Sequence, residues 1–368
     1  MSTIQVINAK HPSSASNNIV LDNSGNAVFA GMVVPSSSFL RNRIINGDMR
    51  IDQRNNGASI SVTATGFPVD RFYVNANSFG VISAQRSTVA PAGFTNSALM
   101  TVTTARSSIA ASDVYGIRQT IEGFNTADFG WGAAGAQTVT LSFWVRSSIA
   151  GTYTVSLFNA AFNRSYVATY TVNSANTFEY KTVTVPGDTT GTWATDNTAS
   201  VNVFWDLGSG SNFQATANSW VASGSLRTSG STNWISTNGA TFYLTGVQLE
   251  VGTAATPFER RQFGQELALC QRYYLPIGAG ELLGVFQGSA NAVLWVNYPV
   301  QMRASPTTTF PSLTNAIDQW GTATRTPTAT TANASTKTLW STATGMSGST
   351  IGNPAVWVGG TIQLNAEL

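Results

Sequence analysis

The chain has 368 residues and a mass of 38.8 kDa, a length that suggests two or three domains because single cores stop growing near about 250 residues. Charged residues are only 10% of it, yet hydrophobic residues are 42% and aromatics 11%; disorder needs few aromatics and high net charge, so a disordered chain is excluded. The net charge of +2, the single histidine (His11) and the single cysteine (Cys270) exclude an electrostatic nucleic-acid surface, a His/Cys zinc site and an intrachain disulfide. A Ser-His-Asp triad would have to borrow His11 from a terminal segment. Arginine outnumbers lysine sixteen to three, a bias that fits structural pairing better than a solvating lysine coat. Residues 1–10 show no basic stretch followed by an apolar one, and no run of about 18 apolar residues occurs, so neither a secretory leader nor membrane insertion is expected.

In chain order, the first 34 residues hold one hairpin candidate. Ile19, Val20 and Leu21, then Ala27, Val28 and Phe29, flank Asp22-Asn23-Ser24-Gly25-Asn26, which is good turn chemistry. A two-stranded piece is marginal alone, so this hairpin needs a partner. Residues 35–38 are a small-residue linker, which sets residues 1–40 apart as an extended N-terminal segment.

Strands are expected at 70–75, 80–85, 98–103 and 114–121. Val139, Leu141, Phe143 and Val145 then alternate with Thr140, Ser142 and Trp144, a strand with one strongly apolar face. Tyr153, Val155 and Leu157 follow a short turn, and Tyr166, Ala168, Tyr170 and Val172 continue the pattern. The strand at 178–185 is stopped by Pro186-Gly187-Asp188, since proline lacks a ladder donor and Gly-Asp favours a turn. Val201, Val203 and Trp205 form the next, and Phe242, Leu244, Val247 and Leu249 the last, with Gly246 a bulge candidate. Roughly ten short strands with Gly, Asn and Ser turns make residues 41–261 an antiparallel jelly-roll sandwich.

Residues 262–275 are the one helical stretch. In QFGQELALCQRYY, Phe263, Leu267, Cys270 and Tyr274 make one apolar stripe, and Pro276 and Gly278 end the helix. A helix of about thirteen residues is marginal by itself. Its stripe packs either on its own sandwich or against two copies of itself, setting threefold register, and Tyr273-Tyr274 could instead cap the next domain's core. Cys270 is expected to be a small buried hydrophobe and a free thiol. Residues 276–368, with strands at 282–286, 292–298, 307–310 and 355–364, form a smaller C-terminal β-sandwich. Its middle, TATRTPTATTANASTKT at 322–338, has the composition of a linker. Trp340 and the closing strand make it a loop or edge strand inside a domain.

Several of these strings resemble bacteriophage tail-fibre or receptor-binding proteins that carry a jelly roll like a carbohydrate-binding module. NRIINGDMRIDQRNNG (42–57) resembles the opening of that module, TGVQLEVGTAATPFERR (245–261) its closing strand, and ELALCQRYY (266–274) the helix that follows. VLDNSGNAVFAGMV (20–33) is similar to short β units in the stalks of such fibres. The order of the pieces also matches. The resemblance runs through Tyr274; beyond it only PVQMRASPT (299–307) is familiar. It implies a virion-attached, homotrimeric, non-enzymatic protein, assembled in the host cytoplasm. Its N-terminal segment would meet other tail or neck proteins, and its partner would be bacterial surface polysaccharide. Sugar binding does not follow from the fold.

Three kinds of site are open to this sequence. Sugars need flat aromatic faces and planar polar groups. Trp144, Trp205 and Trp295 lie inside expected strands and read as packing residues. Trp131 in FGWGAAG and Trp193 in GTWATD lie in turn-like sequence, and Trp220 and Trp234 in the Ser/Asn-rich stretch 208–239. In the C-terminal domain Trp320 sits beside Asp318, Gln319 and Arg325, and Trp340 follows the Thr-rich loop; this is the composition of a glycan contact. The competing account is that each tryptophan pins its own loop.

Jelly rolls of the resembled type often hold a structural calcium, for which Asn46, Asp48, Gln248 and Glu250 are candidate ligands. Alternatively, Asp48 caps a turn and Glu250 pairs with Arg50 or Arg71. Apart from that calcium no cofactor is expected. Catalysis would need two carboxylates across a groove, and nothing in the context of the seventeen acids singles out a pair; the long β-helix of depolymerising tailspikes would show repeats, and none of 20–50 residues occurs.

The resulting expectation is a tail fibre or receptor-binding protein that holds host glycans non-covalently. The alternatives are a structural virion protein (head fibre, decoration or collar spike) using the same module, and a monomeric carbohydrate-binding protein.

Overall fold

In a computed structural model of the chain, residues 41–76, 79–314, 316–318 and 323–368 are described, preceded by three short strands, Asn8–Ala9, Ile19–Leu21 and Ala27–Phe29. The chain divides into two compact units, Met1–Arg41 and Asn42–Leu368. In the first, Ile19–Leu21 is the centre of an antiparallel three-stranded sheet, with Val20 opposite both Val28 and Asn8. The hairpin read from the sequence thus gains a third strand, supplied by its own chain.

The second unit begins with a sandwich of two antiparallel sheets. One has six strands in the order Glu179–Val185, Val139–Ser147, Thr241–Val251, Ser97–Thr104, Val81–Ser87 and Ile60–Val62. The other has seven, in the order Trp220–Val221, Ser165–Val172, Gly151–Asn159, Ala199–Asp206, Gly116–Glu122, Phe72–Asn75 and Thr65–Val69. Period-two alternation turns Leu141, Phe143 and Val145 of one sheet toward Val155, Leu157, Val203 and Trp205 of the other, all buried in one core. Each fully buried aromatic or aliphatic side chain contributes about 1.5–3 kcal/mol relative to exposure. The register of Val139–Ser147 against Thr241–Val251 slips between Ser142 and Trp144, and Gly246 there has φ 61°. The bulge expected at Gly246 is present. A Cβ on it would lie 2.8 Å from the ring of Phe94 and 2.9 Å from that of Trp144, so glycine is needed for space as well as for conformation.

The segment that opens the sandwich is held by amide side chains. Gln119 faces inward and exchanges two hydrogen bonds with the backbone of Ile45, accepting from its N–H at 2.9 Å and donating to its carbonyl at 2.8 Å. Asn42 donates to the Val247 carbonyl (3.0 Å) and accepts from the Leu249 N–H (3.1 Å). Asn46, at φ 60°, donates to the carbonyls of Ile51 and Asp70 and accepts from the Ile51 N–H. At Gly47 a Cβ would stand 2.2 Å from the Val247 carbonyl oxygen. The Asn-Gly-Asp string therefore marks a close backbone crossing between the opening segment and the strand Thr241–Val251.

The helix spans Phe263–Gln271, shorter than the stretch read from the sequence. Tyr274 is not on it: Tyr274–Ile277 is a strand paired with Ile362–Asn365, so pairing with the far end of the chain ends the helix before Pro276 does. Nor do the four residues of the expected stripe share one environment. Cys270 is buried with Ile45, Ile51 and Tyr273, Leu267 packs at the edge of that cluster, and Phe263 is 55% exposed. The Cys270 side of the helix docks on its own chain, against Ile45, Ile51 and Tyr273.

Burial pushes the Cys270 thiol well above its usual pKa, and the nearby Asp70 and Glu266 carboxylates add to this. A thiol held as buried S–H is a poor nucleophile. A thiol reagent should leave the native chain unlabelled and modify its single cysteine only after denaturation; rapid labelling under native conditions would show that the helix leaves its seat.

Beyond the helix, a three-stranded sheet (Tyr274–Ile277, Ile362–Asn365, Thr307–Thr309) and a seven-stranded sheet make the smaller sandwich. The larger sheet runs Thr324–Arg325, Ile317–Asp318, Pro354–Trp357, Leu283–Phe286, Ala292–Asn297, Thr338–Thr344 and Ala329–Ala334. Its core includes Leu282, Phe286, Leu294, Trp357 and Leu364. The Thr/Ala-rich stretch supplies the edge strand Ala329–Ala334.

This sandwich is bolted to the first by buried charges. Glu122 accepts from the Tyr273 hydroxyl at 2.6 Å and pairs with Arg272 at 2.5 Å. Arg71 pairs with Glu367, donates to the Thr120 carbonyl and lies 3.5 Å from the Tyr273 ring centroid. Among the described residues no helix is long and apolar enough to cross a membrane.

Candidate functional site

The residues singled out in the sequence do not converge. Trp131 is buried and meets Trp193 and Trp220 edge to face, with ring centroids 4.8 and 5.2 Å apart. The three indole N–H groups donate to the Gln137 carbonyl, the Asp188 carboxylate and the Pro186 carbonyl. Trp131 and Trp193 therefore pin their loops to the sheet, and Trp131 offers no face to a ligand. Trp320 and Gln319 lie outside the described residues. Asp318 closes the short strand Ile317–Asp318, and Arg325 donates to the Gly348 carbonyl at 2.7 Å.

Trp340 is 53% exposed and lies directly opposite Trp295, which is 42% exposed; the rings stack at 6.0 Å and 26°. Trp295 was expected to pack inside. The run Ala-Val-Leu-Trp-Val is apolar on both faces, so alternation could not tell which face is buried. Leu294 took the core and Trp295 the surface.

The candidate calcium ligands are engaged with protein groups. Asp48 pairs with Arg50 at 2.5 Å. Glu250 accepts from the Thr256 N–H and hydroxyl and from Gln248, rather than pairing with Arg50 or Arg71. Asn46 holds backbone groups, and the Gln248 side-chain Oε1 accepts from the Glu259 N–H. Among the described residues no cluster of three or more His, Cys, Asp or Glu side chains is placed to hold a metal ion.

A site that the sequence did not suggest lies on the outer face of the seven-stranded sheet. Alternation that sends Ile117, Val203 and Leu157 inward sends Arg118, Phe204 and Phe158 outward. There they line a pocket of about 440 Å³, within the ordinary size range of small-molecule sites. Phe158 and Phe204 form its apolar floor together with Leu226, which the stretch 208–239 packs against them. Phe162 stands at its edge with φ 52°, a left-handed conformation that costs a bulky residue about 1–3 kcal/mol and often marks a functional position. Asn159 holds that turn, accepting from the N–H groups of Phe162, Asn163 and Arg164.

The polar groups are few and fixed. The Thr120 hydroxyl donates to the Asn202 side-chain Oδ1 at 2.6 Å, which leaves the Asn202 NH₂ for a ligand. Arg118 lies 4.4 Å from the Tyr73 ring centroid and 6.0 Å from that of Phe158. Burial lowers its pKa to about 10, so it is still a cation at neutral pH. Among the described residues lining the pocket there is no aspartate or glutamate. A second, more open hollow lies on the opposite sheet between Trp144, Tyr180, Phe94 and Phe258. Its cation, Arg260, is engaged with the Gly93 carbonyl.

No family profile matches the chain, and no curated protein does. Among solved structures it is similar to the enzymatically active domain of tailspike protein 4 of bacteriophage CBA120, at 10% identity over 58% of this chain and 22% of that one, with a TM-score of 0.31. It is similar to the C-terminal family 22 carbohydrate-binding module of Clostridium thermocellum Xyn10B, at 12% identity over 60% of this chain and 99% of the module, TM-score 0.31. A third is the family 11 carbohydrate-binding module of the Clostridium thermocellum cellulase Lic26A-Cel5E, at 11% identity over 58% of this chain and 97% of the module, TM-score 0.27.

Proposed function

We propose that the chain is a non-catalytic, virion-attached fibre or receptor-binding protein that holds bacterial surface polysaccharide in the pocket on the outer face of its first sandwich. The observation that carries this reading is the pocket itself: an apolar floor of Phe158 and Phe204 with a few convergent donors above it. Sugar rings offer apolar C–H faces and a rim of hydroxyls, and such a site matches both. Hydrolysis would call for two acidic side chains flanking the bond, and the described lining residues include no aspartate or glutamate. A homotrimer attached through its N-terminal segment would carry three such pockets, and linked weak sites gain about 10²–10⁴ in avidity.

The test is adsorption of the purified chain to a panel of bacterial polysaccharides. Ala160 is exposed at the pocket's edge, so Ala160→Trp should fill the site, abolish adsorption and leave the melting temperature unchanged. Asn202→Ala should weaken adsorption about tenfold, the worth of one ligand hydrogen bond of about 1.4 kcal/mol. Adsorption untouched by Ala160→Trp would remove the site from this pocket, and release of reducing ends from the polysaccharide would overturn the non-catalytic reading.

A further inference from the structure

Arg118 is placed where an unpaired cation is costly. It sits mid-strand, with Tyr73 and Phe204 as its cross-strand neighbours. Among the described residues it has no carboxylate within 4.0 Å and donates no hydrogen bond, and its Nε is buried without a partner. Four arginines that leave solvent in this chain face a carboxylate: Arg71 meets Glu367, Arg164 meets Asp188, Arg227 meets Asp206 and Arg272 meets Glu122. Arg303 is held by backbone carbonyls alone, and Arg146, like Arg118, lies over aromatic rings with its Nε unpartnered, but Arg146 does not line this pocket. Buried charges are ordinarily paired, because desolvation without a partner costs several kcal/mol.

Three features of the surroundings say what the missing partner is. The guanidinium is laid against the Tyr73 ring, which orients its planar fork and leaves its edge for a bidentate acceptor. The pocket floor beside it is aromatic and aliphatic, suited to a ring with C–H faces. The Asn202 NH₂ is turned outward by Thr120, placing a neutral donor in the same pocket. An anion with one planar acceptor group, an apolar ring face and a hydroxyl rim fits all three.

Resting on the glycan-binding reading above, we propose that the pocket takes an acidic sugar and that Arg118 pairs with its carboxylate. Lowering of the arginine's pKa by burial alone agrees with a site that is completed by an anion from outside. The charge selects the sugar, and the apolar floor and Asn202 hold its ring.

The experiment is calorimetric titration of the full chain with tetrasaccharides of galacturonic, glucuronic and mannuronic acid, their methyl esters, the matching neutral tetrasaccharides, and inorganic phosphate. At least one acid should bind about 10–100-fold tighter than its own methyl ester, as charge-assisted hydrogen bonds allow. Arg118→Met should erase that difference. Because Arg118 has no hydrogen bond or ion pair to lose and methionine keeps an apolar contact with the Tyr73 ring, the variant should melt at the same temperature as the wild type or higher; a structural arginine would give a lower one. Equal binding of an acid and its ester, unchanged in Arg118→Met, would overturn the acidic-sugar assignment and leave glycan binding standing. Binding of phosphate alone would make this a simple anion site and overturn the sugar. No binding of any saccharide would overturn both readings.

Discussion

Replacing Asn46 with alanine should destabilise the Asn42–Leu368 unit by about 4 kcal/mol or more, several times the typical value of about 1 kcal/mol for a point substitution. One side chain serves three buried backbone groups: it accepts from the Ile51 N–H at 2.9 Å and donates to the carbonyls of Ile51 at 2.8 Å and Asp70 at 2.9 Å. Each buried group left without a partner costs about 1–3 kcal/mol. Asn46 also has φ 60°, where asparagine is tolerated and alanine pays about 1–2 kcal/mol more. Asn46→Gly separates the two contributions, since glycine removes the hydrogen bonds and keeps the backbone freedom. In urea titrations the glycine variant should recover only about 1 kcal/mol of the loss. A loss below about 1 kcal/mol for the alanine variant would mean that water replaces the amide and that the turn is held elsewhere.

The same residue shows what the sequence could and could not reveal. The string Asn46-Gly47-Asp48 was conspicuous, and a metal-ligand role and a turn role were both open. Only the fold shows that its amide is consumed by Ile51 and Asp70 and that its glycine makes room for Val247. Strands with one strongly apolar face were readable because Leu141, Phe143 and Val145 alternate with Thr140 and Ser142, even though those two are buried as well. Ala292–Asn297 was readable as a strand but not as to its faces, because both are apolar.

The pocket left no local signal at all. Arg118 stands in Gly-Ile-Arg-Gln-Thr-Ile-Glu, which reads as an ordinary strand with Ile117 and Ile121 inside. What makes the arginine unusual is the set of neighbours brought to it from Tyr73, Phe158 and Phe204. The identity of a cross-strand neighbour depends on sheet order, which the number of strands does not fix.

Glu367→Gln should cost about 3–5 kcal/mol, the usual effect of breaking a buried ion pair from one side. Its carboxylate pairs with Arg71 and lies 3.1 Å from Arg54, and all three side chains are largely buried. Arg54 keeps Asp70 at 3.4 Å, whereas Arg71 is left with only the Thr120 carbonyl and the Tyr273 ring. Burial alone would lower the Arg71 pKa, and the Glu367 carboxylate is the largest of the groups that raise it; removing Glu367 takes away most of that compensation. The pairing of Arg71→Met with Glu367→Leu tests this reading. Replacing both partners with apolar groups can be neutral, so the double variant should be more stable than the sum of the single changes predicts, by about 1–3 kcal/mol. Strict additivity would show that the two groups do not interact. The pair also ties the end of the second sandwich to the strand that carries Thr120, and Leu368, next to Glu367, lines the pocket. Glu367→Gln should therefore weaken ligand binding several-fold without altering any side chain that touches the ligand through a polar group. Arg118→Met should change affinity while leaving stability intact. If the two variants separate in this way, the bolt between the sandwiches and the cation in the pocket are distinct parts of one binding surface, one setting its shape and the other its selectivity.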